Sequence, residues 1–237
     1  NDQLTINNGW VKGKKINKIE LLKQIGLVYE ENVPLFGMVS RIAEQKGFDI
    51  LIPALDKILS KHEIRVIILA TGDPRLQAKL EQVVEKYRTK ICLIKRFDEV
   101  LSHLIYAGSD FFPVPSKYEP CGLTQMLAMR YGALPIVRKT GGLTDSVVDS
   151  ETGFVFAEHT SQALLAKMET AIECYQTHLQ GSRMDSSNDR VHLQGSRMDF
   201  SKVVYSNMVE IAMQQDFSWT KSAKEYLILY EKVLMVR

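Results

Sequence analysis

The run Pro115-Ser116-Lys117-Tyr118-Glu119-Pro120-Cys121-Gly122-Leu123-Thr124 holds the residues whose types and order most clearly imply chemistry. It leaves an apolar segment at 109–114 and enters a helical pattern at 125–131. A strand that ends in a proline-stiffened loop and re-enters a helix at a glycine leaves main-chain N–H groups at a helix mouth, where an anion is favoured. Gly122, Leu123 and Thr124 would offer those amides and one hydroxyl to phosphate oxygens. Glu119 stands just ahead of them, placed to face whatever the anion is attached to. A carboxylate, a tight turn and a helix mouth in that order suggest a phosphorylated ligand held on one side and chemistry on the other.

A second group lies earlier, in Ser40-Arg41-Ile42-Ala43-Glu44-Gln45-Lys46-Gly47. Arg41 and Lys46 sit five residues apart on a loop between an apolar strand and a helix. A planar guanidinium that orients and a mobile ammonium that adds point charge suit a diphosphate. Two solvated surface cations would look the same on spacing alone. Other candidates also keep two readings. Cys121 is a reactive thiol or a small buried residue beside a glycine, and Phe97 stacks a planar base or packs as an ordinary aromatic. Tyr118 adjoins Glu119 and is retained as a site candidate. Gly141-Gly142 approaches a ligand or only turns the chain, and His103, inside a helical pattern, reads as structural.

Composition narrows the class. The 237 residues suit one large domain or two small ones, and 45% apolar content supports a core. Thirty basic and 28 acidic residues leave a net charge of +2, which gives no overall bias toward nucleic acid or a membrane surface. Cys92, Cys121 and Cys174 are widely spaced and lack metal-ligand spacing, as in a reduced intracellular protein; no metal is expected. No apolar run approaches the roughly 18 residues needed to span a bilayer. Because it starts on Asn rather than Met, the chain is expected to be a fragment or a processed product.

The elements that must position these residues alternate. Strands are expected at 35–39, 64–70, 92–94, 110–114, 134–137 and 153–156, with helices at 48–60, from Asp73-Pro74 onward, at 98–107 and after Gly122. Asp73 is a helix cap with proline at the first helical position. Near-continuous apolar strands separated by helices argue for an open, doubly wound α/β sheet that is parallel throughout. Residues 1–32 form a polar start with one short helix at 19–25. An octapeptide beginning at His178 recurs 14 residues later at His192, which marks 178–199 as a solvated insertion or duplication between two helices, or else a basic ligand-binding arm that no aromatics support. Helical spacing returns after Ser201 and ends at 219–234 behind Ser218 as cap.

With these residues in place the chain resembles the C-terminal half of bacterial glycogen synthases and plant starch synthases. The resemblance rests on the Glu119-Pro120-Cys121-Gly122-Leu123 run and on 39–47, Gly72-Asp73-Pro74, 129–132, 138–143, 152–154 and 216–219. It implies a Rossmann-like sheet forming one half of a GT-B fold, followed by C-terminal helices. It implies a donor-binding domain over 33–237, with 1–32 as the end of an interdomain link. By the same resemblance Arg41 and Lys46 bind the donor diphosphate, Gly122, Leu123 and Thr124 contact its phosphates, Glu119 faces the transferred glucose, and Phe97 packs on the base. The implied reaction moves glucose from ADP- or UDP-glucose to the non-reducing end of an α-1,4-glucan, with retention and no further cofactor. The glucan would be held by an N-terminal domain absent from this chain, so the half alone is expected to be inactive. A bacterial cytoplasm or a plastid stroma fits. Lys95-Arg96 departs from the family, which usually carries a small residue there. Related sucrose- or trehalose-forming enzymes usually place a second glutamate eight residues after the first; Leu127 stands there, which favours the glucan branch. A non-catalytic nucleotide- or glucan-binding module of the same fold is the other reading.

Overall fold

The computed structural model describes residues 9–184 and 200–235. Six strands form one parallel sheet: β1 (Leu35–Ile42), β2 (Arg65–Gly72), β3 (Ile91–Ile94), β4 (Phe111–Val114), β5 (Leu134–Arg138) and β6 (Phe154–Phe156). Their spatial order is β3-β2-β1-β4-β5-β6. This is the doubly wound order, in which the connection reverses between β1 and β4 and ligands bind outside the carboxyl ends of the strands at that point. The α/β class and the Rossmann-like sheet expected from the sequence are therefore observed.

The helices are α1 (Gly9–Ile25), α2 (Phe48–Lys61), α3 (Pro74–Lys86), α4 (Glu99–Gly108), α5 (Thr124–Arg130), α6 (Gly141–Ser146), α7 (Ser161–Met184), α8 (Phe200–Met213) and α9 (Trp219–Met235). A short 3-10 turn, Glu44–Lys46, joins β1 to α2. The strands are buried on both faces, as a parallel sheet covered by helices requires. In α2, Leu51, Ala54, Leu55 and Ile58 form the stripe that meets the sheet. Asp73 Oδ1 accepts from the Arg75 and Leu76 amides, so the expected cap of α3 forms.

Two elements run further than their apolar patterns. β1 continues past Val39 to Ile42 and stays in register with β2 to the pair Ile42↔Gly72. α1 begins at Gly9 rather than near Ile19 and is anchored by a buried ion pair. There Lys18 Nζ donates to Asp110 Oδ2 at 2.6 Å and to Val33 O at 2.7 Å, while the Leu35 amide donates to the same carboxylate oxygen at 2.7 Å. The second copy of the duplicated octapeptide lies outside the described residues, whereas the first begins inside α7.

The switch point is opened by a broken ladder. β1 and β4 pair only at Phe36↔Phe111, although β4 keeps its register with β5 to Val114↔Val137. Pro113 has no amide proton to offer a neighbour. Beyond Phe36 the two strands part, and the gap lies beneath Arg41, at the end of β1, and the loops that carry Lys46 and Glu119.

Candidate active site

A cavity of about 110 Å³ fills that gap. Met38, Ser40, Arg41, Lys46, Ser116 and Thr124 are among its lining residues, so side chains 83 positions apart in sequence share one space. A larger groove, about 670 Å³, runs between α2 and α3, but its lining contains none of the candidate residues. The candidate residues gather at the smaller cavity, at the sheet edge.

Glu119 is buried, 8% exposed, and its side chain is held from two directions. Lys46 Nζ donates to Oε2 at 2.6 Å and Ser116 Oγ donates to the same atom at 3.0 Å. Oε1 accepts no hydrogen bond from the described residues. Arg41 is exposed at the end of β1 and forms no ion pair among the described residues. The site thus combines a cation already paired with the carboxylate and a second cation with no protein acid to neutralise it.

The loop around Glu119 is pinned through its carbonyls. Gln45 Nε2 donates to Tyr118 O at 2.7 Å, and the Lys117 amide donates back to Gln45 O at 2.9 Å. The Gly142 amide donates to Glu119 O at 3.0 Å. Gln125 Nε2 donates to Gly122 O at 2.9 Å and to Ser146 Oγ at 3.0 Å, and the Ser146 hydroxyl passes the connection to Gly142 O at 2.7 Å. Arg138 donates to the carbonyls of Ser116 and Lys117. Gly122, Leu123 and Thr124 N–H meet no acceptor among the described residues, as expected ahead of the first turn of α5.

Not every candidate joins the cavity. Phe97 is 91% exposed on the loop between β3 and α4, two strands away from β1 at the same sheet edge. At about 4.8 Å per strand, that is on the order of 10 Å to the side. Arg96 beside it is paired with Asp98, whose other oxygen caps α4 through the Leu101 amide. Tyr118 and Leu123 are exposed on the loop surface. Cys121 is exposed too, which corrects the buried alternative: it lies on the surface of the loop, its thiol donating to Gly122 O at 3.7 Å. His103 Nδ1 lies 2.9 Å from Tyr131 Oη, a contact between α4 and the end of α5 that is remote from the cavity.

Ser116, Gln125, Arg138 and Gln45 were not singled out from the sequence. For Arg138 a signal existed, because it ends β5 and the carboxyl ends of such strands face the ligand. Gln45 and Gln125 act on main-chain carbonyls, which leaves no mark in spacing, and Ser116 acts on the Glu119 carboxylate from three residues away in an irregular loop.

Residues 22–184 match the family model described as "Glycosyl transferases group 1". The chain belongs to the group 1 glycosyltransferases. This glycosyltransferase domain is 43% identical over 230 residues to a glycogen synthase of Vibrio parahaemolyticus, an alignment covering 94% of the chain and 42% of the relative. It is 36% identical to a glycogen synthase of Desulfitobacterium hafniense, covering 93% of the chain and 43% of the relative. Among solved structures it is similar to the catalytic domain of starch synthase IV from Arabidopsis thaliana bound to ADP and acarbose, with a TM-score of 0.75 and 35% identity over 94% of this chain and 43% of that one. The glycosyltransferase domain therefore spans less than half the length of these relatives. Among the described residues no helix is long and apolar enough to cross a membrane.

Proposed function

We propose that this chain is the donor-binding half of a glucosyltransferase of the glycogen and starch synthase type, taking ADP-glucose or UDP-glucose. The observation that carries the reading is the convergence of Arg41, Lys46 and Thr124 on one cavity, with Glu119 in contact with Lys46. Arg41, Lys46 and the amides of Gly122 to Thr124 hold the diphosphate, Phe97 receives the base, and Glu119 faces the glucose. In the reaction the C1–O bond to the diphosphate breaks, a C1–O bond to a glucan hydroxyl forms on the same face of the sugar, and the hydroxyl proton passes to an oxygen of the departing diphosphate. Charge builds on the departing diphosphate, and preorganised donors aimed there supply the largest share of rate enhancement. The carboxylate stabilises the oxocarbenium-like sugar. The donor is the only small molecule this scheme requires. The α-1,4-glucan acceptor is held outside this chain, in a bacterial cytoplasm or a plastid stroma.

Calorimetric titration with ADP and UDP tests this. Arg41→Ala is the cleaner variant, since its side chain is exposed and unpaired. Lys46→Ala also strands the buried Glu119 charge, a defect of about 3–5 kcal/mol in folding. Arg41→Ala should weaken ADP at least tenfold with unfolding unchanged, and Lys46→Ala should abolish binding. The chain alone should bind the nucleotide without transferring glucose. Failure of either nucleotide to bind the unaltered chain would sink the reading.

A further inference from the structure

We propose that Arg138 and Ser116 are positioning residues for the sugar-facing carboxylate: Arg138 fixes the main chain at Ser116, and the Ser116 hydroxyl orients Glu119. The inference rests on the donor-site reading and goes beyond it, because neither residue has a role there.

Arg138 is the last residue of β5, and the register Val114↔Val137 places it beside the chain leaving β4. Its Nε donates to Ser116 O at 2.9 Å, and Nη2 donates to Lys117 O. One planar fork thus holds two successive carbonyls and sets the direction of the peptide between them. Ser116 is fully buried from solvent at the wall of the cavity. Its hydroxyl reaches Glu119 Oε2 at 3.0 Å.

Lys46 is bonded to that same oxygen, yet it is also the cation assigned to the diphosphate. A ligand that draws the Lys46 ammonium toward phosphate weakens its hold on the carboxylate. The Ser116 bond then remains, keeping Oε2 engaged and leaving Oε1 to face a sugar hydroxyl. Arg138 acts at one remove, by keeping Ser116 where its hydroxyl can do this.

The readout must separate sugar from nucleotide, so the chain is titrated with both ADP and ADP-glucose. In Ser116→Ala and Arg138→Met, the Kd for ADP-glucose should rise about tenfold while that for ADP stays within about twofold, the loss expected for one hydrogen bond to a charged group. Arg138→Lys, which retains the cation and one donor, should recover part of the difference and also serves if Arg138→Met fails to fold. Ser109→Ala is the structural control. That serine is equally buried, follows α4 directly, donates to Ile105 O in its last turn at 2.6 Å and lies at the opposite edge of the sheet. It should lower stability and leave both affinities alone. An equal rise for both nucleotides, or no change in either, overturns the positioning role while leaving the donor site standing. An unaltered chain that binds neither overturns both.

Discussion

At Gly47 the backbone takes φ of +78° to turn from the 3-10 segment into α2. A Cβ there would overlap the carbonyl oxygen of Pro115. Gly47 therefore sits between the loop bearing Lys46 and the loop bearing Glu119, and the lack of a side chain sets how closely they approach. Gly141 does the same from the other side, with φ of +44° and the Glu119 carbonyl where a Cβ would go. An alanine at position 47 combines a left-handed backbone with a main-chain overlap, each carrying a penalty of about 1–3 kcal/mol. Gly47→Ala should lose about 2–4 kcal/mol in urea unfolding and weaken nucleotide binding beyond what stability alone explains. A loss under about 1 kcal/mol would show that the two loops separate freely, and the 2.6 Å contact between Lys46 and Glu119 would not be a fixed feature of the site.

Among the elements, α1 makes a testable electrostatic contribution. Lys14 Nζ donates to the carbonyls of Ala107 and Tyr131, at the ends of α4 and α5, at 3.3 Å each. Burial lowers its pKa from 10.5 to about 8; Asp110 opposes the shift and the Lys18 charge adds to it. Between those two values the unfolded chain holds the proton and the folded chain does not, so this group makes stability rise with pH across that window. Burial also raises Cys92 and Cys174, which acts in the opposite sense from about pH 9, and raises Tyr106, to about 12, together with Tyr175 and Tyr205, which does so above about pH 10. Thermal unfolding between pH 7.5 and 9.5 should therefore give a more positive slope of stability with pH in the unaltered chain than in Lys14→Met; an unchanged slope in that variant would rule Lys14 out. None of this was legible in the sequence. The alternation of apolar strands and helices revealed the sheet because burial on both faces dictates residue type. Half of α1 escaped because Gly9, Gly13 and its lysines carry no apolar stripe, and its anchor joins Lys18 to Asp110, 92 residues away. The end of β1 escaped because Ser40 and Arg41 face the site rather than the core. The Glu119 motif was readable, but its supports work through carbonyl oxygens that every residue possesses.

For the molecule as a whole, the unusual element is α9. No residue of this 17-residue helix is buried, although Trp219, Leu227, Tyr230, Val233 and Leu234 are all more than half exposed. Its start is capped locally, with the Lys221 amide reaching Ser218 Oγ at 3.4 Å, so the helix has an ordered entry although none of the described residues buries its apolar face. A fully buried apolar side chain contributes about 1.5–3 kcal/mol to stability, and α9 provides none of that to this domain. The domain's stability instead comes from the sheet and from helices such as α2 and α7, whose apolar faces are fully covered. Ending the chain at residue 216 should therefore leave the melting temperature within about 2 °C, since that shift corresponds to about 0.5–1 kcal/mol at this size. Removing a contiguous apolar face should also reduce self-association. Light scattering at rising concentration should show association in the chain as given and less in the shortened one. A drop of more than about 5 °C would mean α9 packs on the sheet domain, and equal association in both would place the sticky surface elsewhere.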